Sequence, residues 1–145
     1  PAAEIVEAPT ETETPPEAAA EATAVTADAV AVDVDVAAAL AERSLGSADA
    51  PVTIHEYASL SCNHCAAFSK NVFGQIEESY INTGKVRFIY TDFPLNAPAL
   101  DAAMIARCLP ADSYFKFLKF LFDKQEEWAF SQTYKDSLRQ YAKLL

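Results

Sequence analysis

Residues 52–68 read VTIHEYASLSCNHCAAF and contain the first predicted strand and the start of a long predicted helix. Residues 52–57 are rich in β-branched and aromatic side chains, which predicts a strand. Apolar side chains then recur at helical spacing over residues 66–83, and Gly84 stands where a left-handed helix cap is expected. A second, more apolar strand is predicted at residues 85–91. This order of elements predicts a right-handed βαβ unit with parallel strands.

The residues after the second strand predict helices. One helix is expected at residues 98–109, a second from Asp112 or Ser113, and a third from Ser131. The predicted buried side chains of the first of these helices are Leu100, Met104, Ile105 and Cys108. Because two parallel strands cannot cover both faces of a sheet, the sequence predicts an incomplete domain that continues beyond Leu145.

The negative charge of the chain is concentrated near its N-terminus. Residues 1–40 carry nine acidic side chains and no basic one, whereas the rest of the chain carries 12 acidic and 11 basic ones. All 16 aromatic residues lie between Tyr57 and Tyr141. A segment without large apolar side chains cannot offset the entropy lost on ordering. Residues 1–43 are therefore predicted to be a disordered acidic tail or linker rich in Ala, Pro, Glu and Thr, and residues 44–145 one domain.

Shorter segments near the N-terminus carry their own predictions. Valine alternates with small or acidic residues at residues 30–36, a pattern that fits either an edge strand or an extended linker. The alanine-rich residues 36–43 predict a short helix. Turn-forming residues at 44–47 and 49–51 place the domain boundary at residues 44–50.

The composition also argues against several classes of function. The chain has no basic cluster of the kind that neutralises phosphates, so a nucleic-acid partner is not expected. No apolar run approaches the roughly 18 to 20 residues that a membrane span requires. The chain begins at Pro1, without an initiator methionine or a signal pattern, so we expect either a removed signal or anchor or a longer parent protein.

Cys62 and Cys65 enclose Asn63 and His64 at the predicted start of the long helix. Three positions apart in a first helical turn, the cysteines meet the roughly 4.4 to 6.8 Å between Cα atoms that a disulfide requires. At a helix N-cap, Cys62 faces backbone N–H groups and the positive end of the helix dipole, which favour its thiolate. His64 and Asn63 can donate further hydrogen bonds to this sulfur. A stabilised thiolate favours the reduced form, so the pattern predicts an oxidising disulfide.

Glu56 lies six residues before Cys62, near the end of the first predicted strand. Two interpretations stay open. Glu56 is either a solvated charge at the sheet surface or a carboxyl group beneath the active-site turn that transfers the proton of Cys65. His55 points to the other face by strand alternation and is given no catalytic role.

In these residues the chain resembles the DsbA-like thiol-disulfide oxidoreductases, thioredoxin-fold enzymes of the bacterial envelope with a helical insertion. The matching segments are residues 45–46, 50–54, 56–57, 62–65 and 92–95. The resemblance implies an α/β, thioredoxin-like fold that is incomplete in these 145 residues. Residues 44–95 correspond to the first βαβ half and residues 96–145 to the α-helical insertion, whereas the later strands and the cis-proline loop of the family are not present.

The resemblance also implies roles for single residues. Cys62 corresponds to the nucleophile and Cys65 to the resolving cysteine. His64 corresponds to the residue that tunes Cys62, and Glu56 to the buried acid of the family. Asn63 departs from the commonest family motif, in which a proline is frequent at this position.

The activity implied by the resemblance is the donation of disulfides to newly secreted polypeptides. The implied partners are reduced or unfolded secreted polypeptides and a membrane redox partner that reoxidises the cysteine pair. A monomer without a cofactor is expected, and nucleic acid is not a partner. The implied location is the periplasm or cell envelope, with a tether through residues 1–43.

Other functions remain as alternatives. A disulfide isomerase or reductase of the same fold and a non-catalytic folding or interaction module are two of them. A zinc site at the cysteine motif would need Cys108 or His55 as a further ligand. Cys108 is interpreted either as a small apolar side chain on a buried face or, from the resemblance, as half of a structural disulfide whose partner lies beyond residue 145.

Overall fold

The structure is a computed structural model that describes residues 34–144. Within these residues a mixed sheet of three strands forms in the order β1-β3-β2. The strands are β1 (Arg43–Leu45), β2 (Val52–Ala58) and β3 (Val86–Asp92). β2 and β3 run parallel and are joined through a helix, which confirms the predicted βαβ unit and the α/β class.

The helices of the described residues flank this sheet. They are α1 (Val36–Leu40), α2 (Asn63–Phe68), α3 (Gly74–Ile76), α4 (Ala97–Cys108), α5 (Ala111–Asp123), α6 (Gln125–Trp128) and α7 (Tyr134–Ala142). Two π-helical stretches, Ser69–Phe73 and Glu77–Ile81, lie on either side of α3 and make the helix between β2 and β3 continuous. Gly84 follows it with φ +75°, as the predicted left-handed cap requires.

β1 lies where the sequence predicts a turn. It pairs antiparallel with β3, and Arg43 is opposite Tyr90. Three residues are too few to show an alternating pattern, and their partner strand comes much later in the chain. Gly46 ends the strand with φ +86°, and a Cβ there would lie 2.4 Å from the Val86 carbonyl oxygen, so a larger residue is excluded. The turn predicted at residues 44–47 therefore starts too early, because residues 44 and 45 belong to a strand.

Residues 36–43 belong to the folded unit. α1 forms where the alanine-rich segment predicts a helix, and Asp35 caps it by accepting a hydrogen bond from the backbone N–H of Ala38 at 3.0 Å. Arg43 is buried and donates to the carbonyls of Ala38 and Arg107, each at 3.1 Å. The predicted boundary after residue 43 therefore lies too late in the chain.

The remaining N-terminal predictions concern residues that the structure does not describe. Outside the described residues lie residues 1–33 of the predicted acidic tail and most of the alternating stretch at residues 30–36.

α4 confirms a predicted helix but not its predicted buried face. Pro98 lies in the first turn, and the Asn96 side chain accepts the backbone N–H of Ala99 at 3.0 Å as a helix cap. The buried side chains are Ala99, Ala102, Ala103 and Ala106. Their spacing gives one helical face of small residues. α4 contacts α1, α5 and α7. The larger Leu100 and Met104 are exposed instead, at 47% and 59%.

α5 forms the centre of the core. Its buried side chains are Tyr114, Phe117, Leu118, Leu121 and Phe122. The helix begins at Ala111 after Pro110, so neither Asp112 nor Ser113 is the cap that the sequence predicts. Aromatic contacts join α5 to the sheet, since the rings of Phe115 and Phe88 lie 6.5 Å apart between centroids.

Two further helices complete the described residues. The sequence does not predict α6, a single turn that buries Gln125 and Trp128. α7 begins at Tyr134, shortly after the predicted start at Ser131, and buries Leu138. In the part of the chain that the structure describes, no helix combines the length and the apolar character needed to cross a bilayer.

Candidate active site

The two cysteines of the motif lie at the start of α2. Cys62 is the N-cap residue, as predicted, with φ −86° and ψ 118°. Its Sγ accepts a hydrogen bond from the backbone N–H of Cys65 at 3.3 Å. The first N–H groups of a helix have no partner within the helix, and here the sulfur takes the place of the usual cap oxygen. These N–H groups therefore stabilise negative charge on Cys62 Sγ.

The pKa values of the two thiols are shifted in opposite directions. Partial burial alone would raise the pKa of Cys62, but hydrogen bonds from the Cys65 thiol and from the backbone N–H groups of Cys65 and His64 lower it below its ordinary value. Burial, the hydrogen bond to Cys62 and the charges of Cys62 and Glu56 together raise the pKa of Cys65 to about 11. Cys62 is therefore the more acidic thiol and the better nucleophile of the pair.

A buried turn precedes the motif. The Oγ atoms of Ser59 and Ser61 lie 3.1 Å apart, and Ser59 Oγ accepts the backbone N–H groups of Ser61 and Leu95, each at 3.3 Å. The Ser59 carbonyl accepts the backbone N–H of Cys62 at 3.0 Å. Ser59 thus ties the residues after β3 to the loop that carries the cysteines. The sequence does not reveal this role, because a serine in a turn is common.

Gln125 holds the same loop from the other side. It is 2% exposed, and its side-chain nitrogen donates to the carbonyls of Leu60 at 2.8 Å and Cys62 at 3.0 Å. In the sequence Gln125 stands between Lys124 and Glu126, so it is indistinguishable there from a solvated helix face. Its contact with the motif depends on the packing of α6 and could not be predicted.

Glu56 lies on the inner face of β2, together with Ile54 and Ala58. It borders a cleft of about 30 Å³ that is lined mainly by aromatic side chains. Burial raises the pKa of Glu56 to about 7. The interpretation of Glu56 as a solvated surface charge is therefore wrong. Its charge contributes to the raised pKa of Cys65, so the two side chains are electrostatically coupled, and its role in proton transfer stays a prediction.

Asn63 and His64 are exposed in the first turn of α2. His64 contributes its backbone N–H to the lowered pKa of Cys62. Among the hydrogen bonds of the described residues, the predicted one from the His64 imidazole to Cys62 Sγ is not formed, since the side-chain contact to this sulfur comes from Cys65. Tuning by the imidazole stays a prediction.

His55 is exposed on the outer face of β2 and stacks on Tyr57 with ring centroids 6.5 Å apart.

Cys108 lies at the end of α4 and is exposed, so it is not the buried apolar side chain that one interpretation expects. Its pairing with a cysteine beyond residue 145 stays a prediction. Over residues 34–144, no three His, Cys, Asp or Glu side chains come together as ligands of a metal ion would.

Comparison with known proteins places this geometry in a family. A thioredoxin family model matches residues 38–144. The crystal structure of alpha-DsbA1 from Wolbachia pipientis superposes with a TM-score of 0.63 at 40% sequence identity, over 68% of this chain and 50% of that protein. Oxidised BdbD from Bacillus subtilis superposes with a TM-score of 0.55 at 29% identity, over 57% of this chain and 47% of that protein. The chain belongs to the DsbA-like thioredoxin family.

Curated sequences agree with the DsbA-like assignment. A Rickettsia prowazekii protein that carries the provisional name of protein-disulfide oxidoreductase is 32% identical over 101 residues, which are 69% of this chain and 37% of that protein. Disulfide bond formation protein D of Bacillus subtilis is 30% identical over 92 residues, which are 58% of this chain and 41% of that protein. The chain spans about two fifths of the length of these curated relatives.

Proposed function

We propose that this DsbA-like protein is a thiol-disulfide oxidoreductase that donates disulfides to reduced polypeptides through Cys62 and Cys65. The observation that carries the proposal is the N-cap position of Cys62, whose sulfur accepts the backbone N–H of Cys65 at 3.3 Å. Stabilising the Cys62 thiolate stabilises the reduced pair. A cysteine pair with a stable reduced form passes its disulfide readily to another protein.

The proposed reaction starts from the disulfide between Cys62 and Cys65. A client thiolate attacks Cys62 Sγ, the bond to Cys65 breaks, and a mixed disulfide forms between the client and Cys62. Cys65 takes up a proton as it leaves, since its pKa is about 11. Glu56, with a pKa of about 7, is the coupled acid that can supply this proton. A second thiolate of the same client then attacks the client sulfur of the mixed disulfide and displaces the Cys62 thiolate. The client is thereby oxidised by two electrons, and the enzyme is reduced.

The proposal extends to partners and location. Disulfides form and persist in oxidising compartments, and relatives of the chain are named for disulfide bond formation. We therefore propose the periplasm or cell envelope as the location, reduced or unfolded secreted polypeptides as clients, and a membrane redox partner that restores the disulfide. The residues before α1 would serve as a tether. Recovery of the full-length protein in the cytosol on cell fractionation would contradict the proposed location.

The activity can be tested by oxidative refolding of a reduced, unfolded ribonuclease with the oxidised full-length protein. The wild type should accelerate disulfide formation, and Cys62→Ala should abolish the acceleration because no disulfide can form. Cys65→Ala should abolish the acceleration as well, because Cys62 then has no partner for the disulfide that the client receives. Cys108→Ser is the matched control and should keep the activity, because Cys108 is exposed at the end of α4. Equal activity of Cys62→Ala and the wild type would show that the proposed function is wrong.

A further inference from the structure

Gln125 is a polar side chain enclosed in the core behind the redox motif. It is 2% exposed. Its side-chain nitrogen donates to the carbonyls of Leu60 and Cys62 at 2.8 and 3.0 Å. One side chain from the helices after β3 thus contacts the main chain of the nucleophile itself.

The chemistry of Gln125 fits the two carbonyls that it contacts. A neutral amide nitrogen carries two hydrogens and can therefore serve both acceptors without bringing a charge into the core. A glutamate would place acceptor oxygens against carbonyls that need a donor. An asparagine is shorter by one methylene group, so its amide would not reach both carbonyls. Leu60 is 2% exposed, so water cannot easily replace the donor at its carbonyl.

The position of Gln125 is fixed by its own helix. Trp128, in the same turn, is fully buried and donates its indole N–H to the Leu121 carbonyl at 2.9 Å. This hydrogen bond joins α6 to α5 and leaves the Gln125 amide facing the loop. The packing of α6 against α5 therefore holds the Gln125 amide in place.

Fixing the Cys62 carbonyl also fixes the surroundings of the Cys62 sulfur. The same carbonyl accepts the backbone N–H of Ala66 at 3.0 Å, which is the first hydrogen bond of α2. With donors from Gln125 and Ala66 in place, the peptide group after Cys62 is held, and the backbone N–H of Cys65 stays directed at Sγ.

We propose that Gln125 is a positioning residue of the redox pair, which holds the Cys62 backbone so that the sulfur keeps the hydrogen bonds that stabilise its thiolate. This inference deepens the proposed function and rests on it. Gln125 itself touches neither sulfur atom, and it acts through the main chain of Leu60 and Cys62.

The inference is tested with Gln125→Met in the full-length protein, because methionine has a similar volume and no hydrogen-bond donor. The acid dissociation constant of Cys62 in the reduced protein is measured from the ultraviolet absorbance of the thiolate against pH. We expect it to fall ~10-fold, because loosening the Cys62 backbone weakens a hydrogen bond to the thiolate, and one hydrogen bond to a charged group changes an ionisation equilibrium by about this factor. The equilibrium with glutathione should shift by a similar factor toward the disulfide form of the protein.

Tyr134→Phe is the matched control, because it removes the hydrogen bond from the Tyr134 hydroxyl to Asp101 at 2.8 Å, between α7 and α4, without touching α6 or the motif. It should lower stability and leave the Cys62 dissociation constant unchanged, which separates positioning from general destabilisation. If Gln125→Met does not fold, Gln125→Asn should show the same shift, since its amide is too short for both carbonyls. An unchanged dissociation constant in the folded variant overturns the inference. A wild-type Cys62 without a lowered pKa would instead overturn the proposed function.

Discussion

Cys62 and Cys65 are identical side chains that their places in one helical turn make different. Cys62 precedes the helix and receives N–H groups, whereas Cys65 lies within it and is more affected by burial and by neighbouring negative charge. The position of the backbone therefore assigns the nucleophile, and tuning of this difference by the side chains of Asn63 and His64 stays a prediction.

Glu56 gives a prediction on pH dependence. Its pKa rises from 4.5 to about 7 in the folded protein because burial disfavours the carboxylate. The stability that the neutral Glu56 carboxyl group contributes is fully present below about pH 4.5, and it is lost as the pH rises through about 7. Glu56→Gln should therefore be more stable than the wild type at pH 8 and close to it at pH 4.

Urea unfolding at these two pH values measures the effect. Both proteins should carry Cys62→Ala and Cys65→Ala, so that thiol ionisation and disulfide formation do not contribute. A stability difference between Glu56→Gln and its parent that is the same at both pH values would mean that Glu56 is not held in a carboxylate-disfavouring environment.

The residues of the site differ in how far the sequence could predict them. Cys62 and Cys65 could be predicted because a local spacing and a helix start define their chemistry. Ser59 and Gln125 could not, because their roles arise from hydrogen bonds to residues far away in the chain. The burial of Glu56 could be predicted only in part. Strand alternation places Glu56 on the same face as Ile54, and its burial follows once that face is known to be the inner one.

At the scale of elements, Arg107 joins α4 to the start of the folded unit. It forms an ion pair with Asp92 at 2.6 Å and donates to the carbonyls of Ala39 and Ala41 at 3.2 and 3.0 Å. Asp92 also accepts the hydroxyl of the buried Tyr114. Arg107→Gln should lower the free energy of unfolding by about 3 kcal/mol, because it leaves a largely buried carboxylate without its partner.

Arg139→Gln is a suitable comparison for Arg107→Gln. Arg139 pairs with Asp136 at 3.0 Å on the surface of α7, where both side chains are 73% exposed. Such pairs contribute less than about 0.5 kcal/mol, so this variant should unfold at nearly the wild-type urea concentration. Equal losses in the two variants would contradict a structural role for the Arg107 ion pair.

The structure forms the predicted helices and strands where the local sequence pattern and the tertiary packing favour the same element. β2, β3 and α5 carry strong local patterns and were predictable. β1 was not, because a three-residue strand exists only through its pairing with β3. The face of α4 was mispredicted because packing distance favoured Ala102 and Ala106 over larger apolar residues. Val72, an apolar residue in the first π-helical stretch, is 42% exposed.

At the scale of the whole molecule, the redox loop depends on three separate parts of the sequence. β2 delivers it, the residues after β3 contact it through Leu95, and α6 contacts it through Gln125. The fold class and the location of the cysteine motif could be predicted because each depends on a contiguous stretch. The support of the loop could not, since it combines segments that meet only in the folded protein.

The reduction potential of the Cys62–Cys65 pair tests the central claim most directly. It is obtained by equilibrating the full-length protein with glutathione buffers of known composition and measuring the oxidised fraction. A pair whose nucleophile is stabilised at a helix N-cap should have a potential above about −200 mV, the side on which oxidising members of this fold lie. A potential near about −270 mV, as in cytosolic reductants of the fold, would contradict the account.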